Sequence, residues 1–147
     1  MNREIKFRGK LVDENDWDFG DLRQKEGKLY IFPQGELTFK HFAYEVYPDT
    51  VGQYTGLKDK NGVEIYEGDI IISKASTGEP IYHDIFYNES QAAFYAGLDG
   101  RRDASFGICS VYQQWIDEFG KEVVGNIHDN PELLKHAKKS PFNRETW

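Results

Sequence analysis

Residues 51 to 72 read VGQYTGLKDKNGVEIYEGDIII. In the middle of this stretch, Asp59-Lys60-Asn61-Gly62 places Asn-Gly where a type I′ hairpin turn needs two residues with positive φ. The spacing predicts a tight hairpin, entered by residues 53–57 and left by residues 63–66. Glu67-Gly68-Asp69 then bends the chain into Ile70-Ile71-Ile72, and an unbroken apolar run of that kind suits a strand buried on both faces. This segment alone argues for an antiparallel, sheet-based fold.

The flanking sequence extends the pattern. Near the start, Ile5, Phe7 and Gly9 alternate with Lys6, Arg8 and Lys10, which predicts a first strand with an apolar row on the core and a basic row in water. Asn15-Asp16 turns it, Trp17 and Phe19 begin a second strand, and Glu26-Gly27-Lys28 leads into Leu29-Tyr30-Ile31-Phe32, closed by Pro33, so a β-meander is expected. Residues 37–47 are aromatic without a clean period and are assigned neither to helix nor to strand. Further strands are expected at 81–87 and 91–96, the latter ending near the Asp99-Gly100 turn. Ile108, Val111, Tyr112, Trp115, Ile116 and Phe119 fall on one helical face, with Gly120 as a stop; Val111 and Tyr112 also favour sheet. A last strand is expected at 122–128. Asn130-Pro131-Glu132 opens a short closing helix, with Asn130 as the cap for its first amides.

A chain of 147 residues suits one domain, and at that length one core buries enough surface to need neither metal nor disulfide. The single cysteine, Cys109, cannot pair within the chain and reads as a small core residue in a reducing compartment, hence a cytoplasmic protein. No apolar run approaches a membrane span or a secretory core. The charge of −7 disfavours non-specific nucleic-acid binding. Two basic patches stand against it: Arg3, Lys6, Arg8 and Lys10, and Lys135, Lys138, Lys139 and Arg144. Asp13, Glu14, Asp16, Asp18 and Asp21 follow the first patch and are expected to screen it.

No catalytic constellation emerges. His83-Asp84 is the one histidine with an adjacent carboxylate, but neighbours on a strand point to opposite faces and do not share a proton or a metal. His41, His128 and His136 lack ligand spacing, and one cysteine builds no zinc site of the usual kinds. Glu67 and Asp69 are two apart and on a strand would pair as in a metal-assisted hydrolase; the alternative, that Asp69 accepts backbone amides and fixes the turn, is the stronger. No Gly-rich phosphate loop occurs. No cofactor, metal, catalytic or binding residue is therefore assigned. Tyr44, Tyr47, Tyr54, Tyr66, Tyr82, Tyr87 and Tyr95 exceed what one small core buries with satisfied hydroxyls, so some are expected on the surface.

Three ordered segments, REIKFRGK from Arg3, VGQYTGLKDKNGVEIYEGDII from Val51 and VVGNIHDNPELL ending at Leu134, resemble the YopX family of bacterial prophage proteins. The resemblance implies a mainly β fold of the α+β class. It places Tyr66, Gly68, Asp69 and Ile70 in a small SH3-like barrel, and it implies no activity, substrate or cofactor. It is weakest over 73–118. The expected organisation is a single domain over residues 1–147, with an N-terminal β-meander over 1–47 and the barrel over 48–134. The expected function is a non-enzymatic binding module that grips another protein or a second copy of itself. The alternatives are a nucleic-acid-binding barrel using the basic first strand and tail, and an acidic mimic that occupies a host DNA-binding protein.

Overall fold

The computed structural model describes residues 1–33, 43–74, 78–102 and 109–134. Two compact units divide the chain, Met1–Gly56 and Leu57–Trp147.

In the first unit, β1 (Phe7–Lys10), β2 (Trp17–Lys25), β3 (Lys28–Pro33), β4 (Tyr44–Val46) and β5 (Gly52–Lys58) lie in the order β4-β3-β2-β1-β5. Every pairing is antiparallel. The meander expected from sequence is present. Lys25 pairs with Lys28 across Glu26-Gly27, whose φ angles of 51° and 78° match the twist of a two-residue hairpin. One face is the core: Ile31 and Val46 are fully buried, and a Cβ at Gly9 would lie 2.8 Å from the Val46 side chain. Val46 also bridges Leu11 just beyond β1, with Tyr47 N donating to Lys10 O at 2.9 Å. Of the aromatic segment 37–47, residues 37–42, His41 among them, lie outside the described residues, whereas its last part supplies β4.

The first strand corrects one expectation. Its basic row does not stand in water, for Arg8 is 7% exposed and its guanidinium carbon lies 4.8 Å from the Trp17 ring centroid. β1 is an interior strand, between β2 and β5, so its side chains on both faces meet neighbours.

From Leu57 the chain enters the second unit. β6 (Glu64–Tyr66) follows the hairpin. β7 (Asp69–Lys74), β8 (Pro80–Asn88), β9 (Ala93–Ala96), β10 (Cys109–Ser110) and β11 (Glu122–Asn126) form a sheet in the order β10-β9-β8-β7-β11. β7 lies between β8 and β11, which explains its apolar run: Ile70 and Ile71 are fully buried. Ile65, Ile71, Ile85, Ala96 and Ile116 make the core, with Leu57, Phe94, Val111, Trp115 and Val123 packed on it. Among the described residues the molecule is mainly antiparallel sheet with very little helix, and its strands close no barrel.

Three local expectations change. The 59–62 hairpin forms, but only Gly62 in it has positive φ, 81°. Gly62 N donates to Asp59 O and Asp59 N to Val63 O, which makes a three-residue loop closed by a left-handed glycine. Asp59 selects it, because its Oδ1 accepts the Asn61 and Val63 amides at 2.8 and 2.9 Å. The helix is α1, Gln113–Glu118, not the longer face read from 108 to 119. Ile108 lies outside the described residues, and Val111 instead donates its amide to Phe94 O, where a β-branched residue is at ease. Gly120 does stop it, with φ 57°. The closing helix reduces to a 3-10 turn, Pro131–Leu133, which Asn130 does not cap; its Oδ1 accepts the Asn126 amide instead. Phe142, Trp147 and the basic tail lie outside the described residues.

Candidate functional site

Strand alternation sorts the first unit into two unlike faces. Directly paired residues share a face, so the register puts Lys10 beside Trp17 and Arg8 beside Phe19. On the same face Asp21 pairs with Phe32, Arg23 with Tyr30, and Lys25 with Lys28. Tyr30 pairs on with Glu45. On β5, Tyr54 belongs to this face, because Arg8 pairs with Gly52; Lys6 Nζ lies 5.2 Å from the Tyr54 ring centroid. The face opposite the Ile31–Val46 core thus interleaves cations with rings.

This face is closed at one end and open at the other. Arg8 and Lys10 cluster on Trp17, at 4.8 and 5.9 Å from its ring centroid, where cation–π attraction holds them. Along β2, burial falls away: Phe19 is 44% exposed, and Asp21, Arg23 and Lys25 are exposed, as is Lys28 across the hairpin. Lys28 Nζ lies 3.9 Å from Glu45, a contact between exposed groups that contributes little. Asp16 and Asp18, at the other end, turn their carboxylates onto the Trp17 and Phe19 amides. The sequence shows the cations of β1 as a patch, but neither those of the β2–β3 hairpin nor this face, because the pattern resides in the β2–β3 register.

A polar cluster in the second unit was missed as well. His83 Nδ1 is 2.9 Å from Gly97 O. A carbonyl only accepts, so Nδ1 carries the proton and Nε2 accepts the Ser73 hydroxyl at 2.7 Å. Burial lowers the His83 pKa below 6.5, with the Lys121 charge acting in the same sense, while the Gly97 bond and the charges of Asp99 and Asp84 oppose it. The chain of contacts resembles a nucleophile, base and orienting acceptor. Its surroundings are those of a strut: Ser73 is buried, the Trp115 ring stands edge-on at 5.5 Å, and the two bonds fasten β7 and β8 to the residue after β9. Lys121, 4% exposed, lies over the Trp115 and Phe119 rings at 4.4 and 5.2 Å.

His83 and Asp84 take different partners. Asp84 Oδ2 accepts from Arg102 Nε and Nη2, both at 2.7 Å, while its Oδ1 is buried without a hydrogen-bond partner. Glu67 lies in the turn, and Asp69 Oδ2 accepts the Tyr66 amide at 2.7 Å, the turn-fixing geometry. Among the described residues no three His, Cys, Asp or Glu side chains gather as metal ligands. His128 is in a turn whose amide bonds to Asn126; His41, His136 and the side chain of Cys109 lie outside the described residues. Tyr54 and Tyr66 are buried, while Tyr44 and Tyr47 are exposed in the first unit and Tyr87 in the second. No helix among the described residues is long and apolar enough to cross a membrane.

Comparison with known proteins agrees with the fold. The chain is similar to protein EF1440 from Enterococcus faecalis, seen in its crystal structure, at 27% identity and a TM-score of 0.62, covering 91% of this chain and 100% of that one. A search among curated proteins finds no match. The family model described as YopX protein matches residues 6–135, a span that runs from β1 through the 3-10 turn after β11 and so takes in both units, and the chain therefore belongs to the YopX family.

Proposed function

We propose that this chain is a prophage-encoded, non-enzymatic binding module of the bacterial cytoplasm, with the outer face of β1, β2 and β3 as its working surface. The observation that carries the reading is the exposure of Phe19, 44%, among Arg23, Lys25 and Lys28. Exposed large rings, and arginine beside them, are enriched where proteins meet partners. The buried and partly buried polar groups support it from the other side: Asp59 and Asp69 accept backbone amides, Asp84 pairs with Arg102, and His83 bonds to Gly97 O, a disposition suited to holding strands. The SH3-like barrel that the family resemblance implies belongs to residues 48–134, and the antiparallel β10-β9-β8-β7-β11 sheet of the second unit is compatible with a fold of that kind. The sequence points to a protein or a second copy as occupant; with Tyr54 and Tyr66 buried, the paired rings and cations of β2 and β3 favour the β1–β3 face over one built on the tyrosines.

The test compares the wild type with Phe19→Ala/Arg23→Glu. Sedimentation velocity over a range of concentrations reports self-association. Retention from a lysogen lysate, with and without nuclease, reports other partners. The reading expects at least one association to weaken about tenfold or more in the variant, with circular dichroism unchanged. Equal behaviour of the two proteins in every assay refutes it.

A further inference from the structure

We infer that the occupant of the β1–β3 face is single-stranded nucleic acid, an assignment that rests on the surface proposed above and names its ligand. Six cations, Lys6, Arg8, Lys10, Arg23, Lys25 and Lys28, share this face with three carboxylates, Asp21, Glu45 and Glu4, the last paired with Lys6 at 3.2 Å. The face is therefore strongly positive on a chain whose charge is −7. That local sign disfavours a second copy as occupant, because two such faces repel. It favours a polyanion.

The rings decide which polyanion. Trp17 and Phe19 are two residues apart on one strand, and Phe32 and Tyr30 follow on the next, each paired across β2–β3 with Asp21 and Arg23. An acidic peptide is satisfied by the cations alone and has no use for this series. A duplex keeps its base faces stacked inside, so rings on a shallow sheet gain nothing from it. Unstacked bases present a π-face each, and aromatic platforms lined by Lys and Arg are how single strands are held without sequence preference. The exposed Arg23, Lys25 and Lys28 lie along one side of Phe19. Asp13, Glu14 and Asp16 lie in the connection between β1 and β2, at the opposite end from these three cations. The ligand's course thus runs from Phe19 toward the β2–β3 turn, with Arg8 buttressing Trp17 from within the sheet and the exposed cations meeting phosphates.

Fluorescence anisotropy of a labelled dT15 strand tests this, with a 15-base-pair duplex and polyglutamate as competitors. The strand is expected to bind at 20 mM NaCl. Each neutralised phosphate contributes a log–log salt slope of roughly −0.7, so engagement of Arg23, Lys25 and Lys28 predicts a slope of about −2. Loss of one stacked base corresponds to about a 5- to 100-fold weaker affinity in Phe19→Ala. Phe19→Leu, which keeps bulk and loses the ring, is expected to weaken binding similarly while securing the fold. Arg23→Glu/Lys25→Glu is expected to make the slope shallower by roughly 1.4, and Tyr87→Ala, in the other unit, to change nothing. Absence of dT15 binding, competition by duplex as strong as by single strand, or displacement by polyglutamate at equal charge each overturns the assignment. If the face variants abolish capture of a protein while dT15 never binds, the ligand assignment fails and the binding surface stands. If they alter no association at all, the surface fails too.

Discussion

Replacing Asp59 by Asn is expected to cost the protein a large share of its stability although it removes one charge and almost no volume. Asp59 is 5% exposed. Its Oδ1 accepts the Asn61 and Val63 amides at 2.8 and 2.9 Å, and its Oδ2 accepts the Val123 amide at 2.9 Å. The carboxamide keeps one acceptor for the hairpin loop and turns an NH2 toward the Val123 N–H, a donor facing a donor. Loss of one charge-assisted bond is worth about 1.5–3 kcal/mol, and the two surviving bonds weaken as their acceptor becomes neutral. The sum is about 2–4 kcal/mol, and Asp59→Ala, which leaves three amides unanswered, should exceed it. With a urea m-value of about 2 kcal/mol/M, the midpoint falls by about 1–2 M. Urea titration followed by far-ultraviolet circular dichroism measures this, and hydrogen exchange at Val123 should accelerate in step. Asp13→Asn, at an exposed site, serves as the reference and should stay within about 0.5 kcal/mol. If Asp59→Asn unfolds at the same urea concentration as that reference, the carboxylate is not the clamp between hairpin and β11, and the reasoning is wrong.

Three further perturbations follow from the same structure. His83 has a lowered pKa, so the folded protein resists a proton that the unfolded chain accepts; stability should be full above about pH 6.5 and fall as the pH drops below it, and thermal melts from pH 8 to 5 should show a decline that His83→Gln flattens. Gly9→Ala forces a methyl to within 2.8 Å of Val46, with a loss of about 1–3 kcal/mol in thermal melts that Val46→Ala should largely restore; additive losses in the double variant would contradict the contact. Arg102→Ala leaves Asp84, 1% exposed, without its ion-pair partner, and a loss of about 2–4 kcal/mol is expected, since the arginine is itself partly solvated; a melting temperature unchanged from wild type would refute it.

Local chemistry made much of the fold legible. Gly62, Asp99-Gly100 and Glu26-Gly27 are turns because few other residues accept their backbone angles, and the run of three isoleucines points to the burial that Ile70 and Ile71 show in full and Ile72 in part. The turn type at 59–62 escaped because Asp59, a side chain reaching forward to Asn61 and Val63, outweighs the preference of Asn-Gly. The helix was overdrawn because a 3.6-residue period over 108–119 says nothing of the β9 edge that claims Val111. The candidate surface was half legible: alternation gave the basic row of β1, but which rings stand beside it depends on pairing Phe19 with Arg8 and Tyr30 with Arg23. Ser73, Arg102 and Lys121 carried no sequence signal, since their partners are 10 or more residues distant or are rings reached only through packing.

The interior position of β1 also bears on how the chain reaches its folded state. During synthesis β1 emerges ahead of its partners and finds β2 within a few residues, but its other flank waits for Gly52 and Gln53. Until then a growing polypeptide carries an unpaired ladder of amides and carbonyls, the kind of edge to which stray strands attach. Closure by β5 ends that exposure, and the ribosome must deliver the chain through Gly52 and Gln53 before it does.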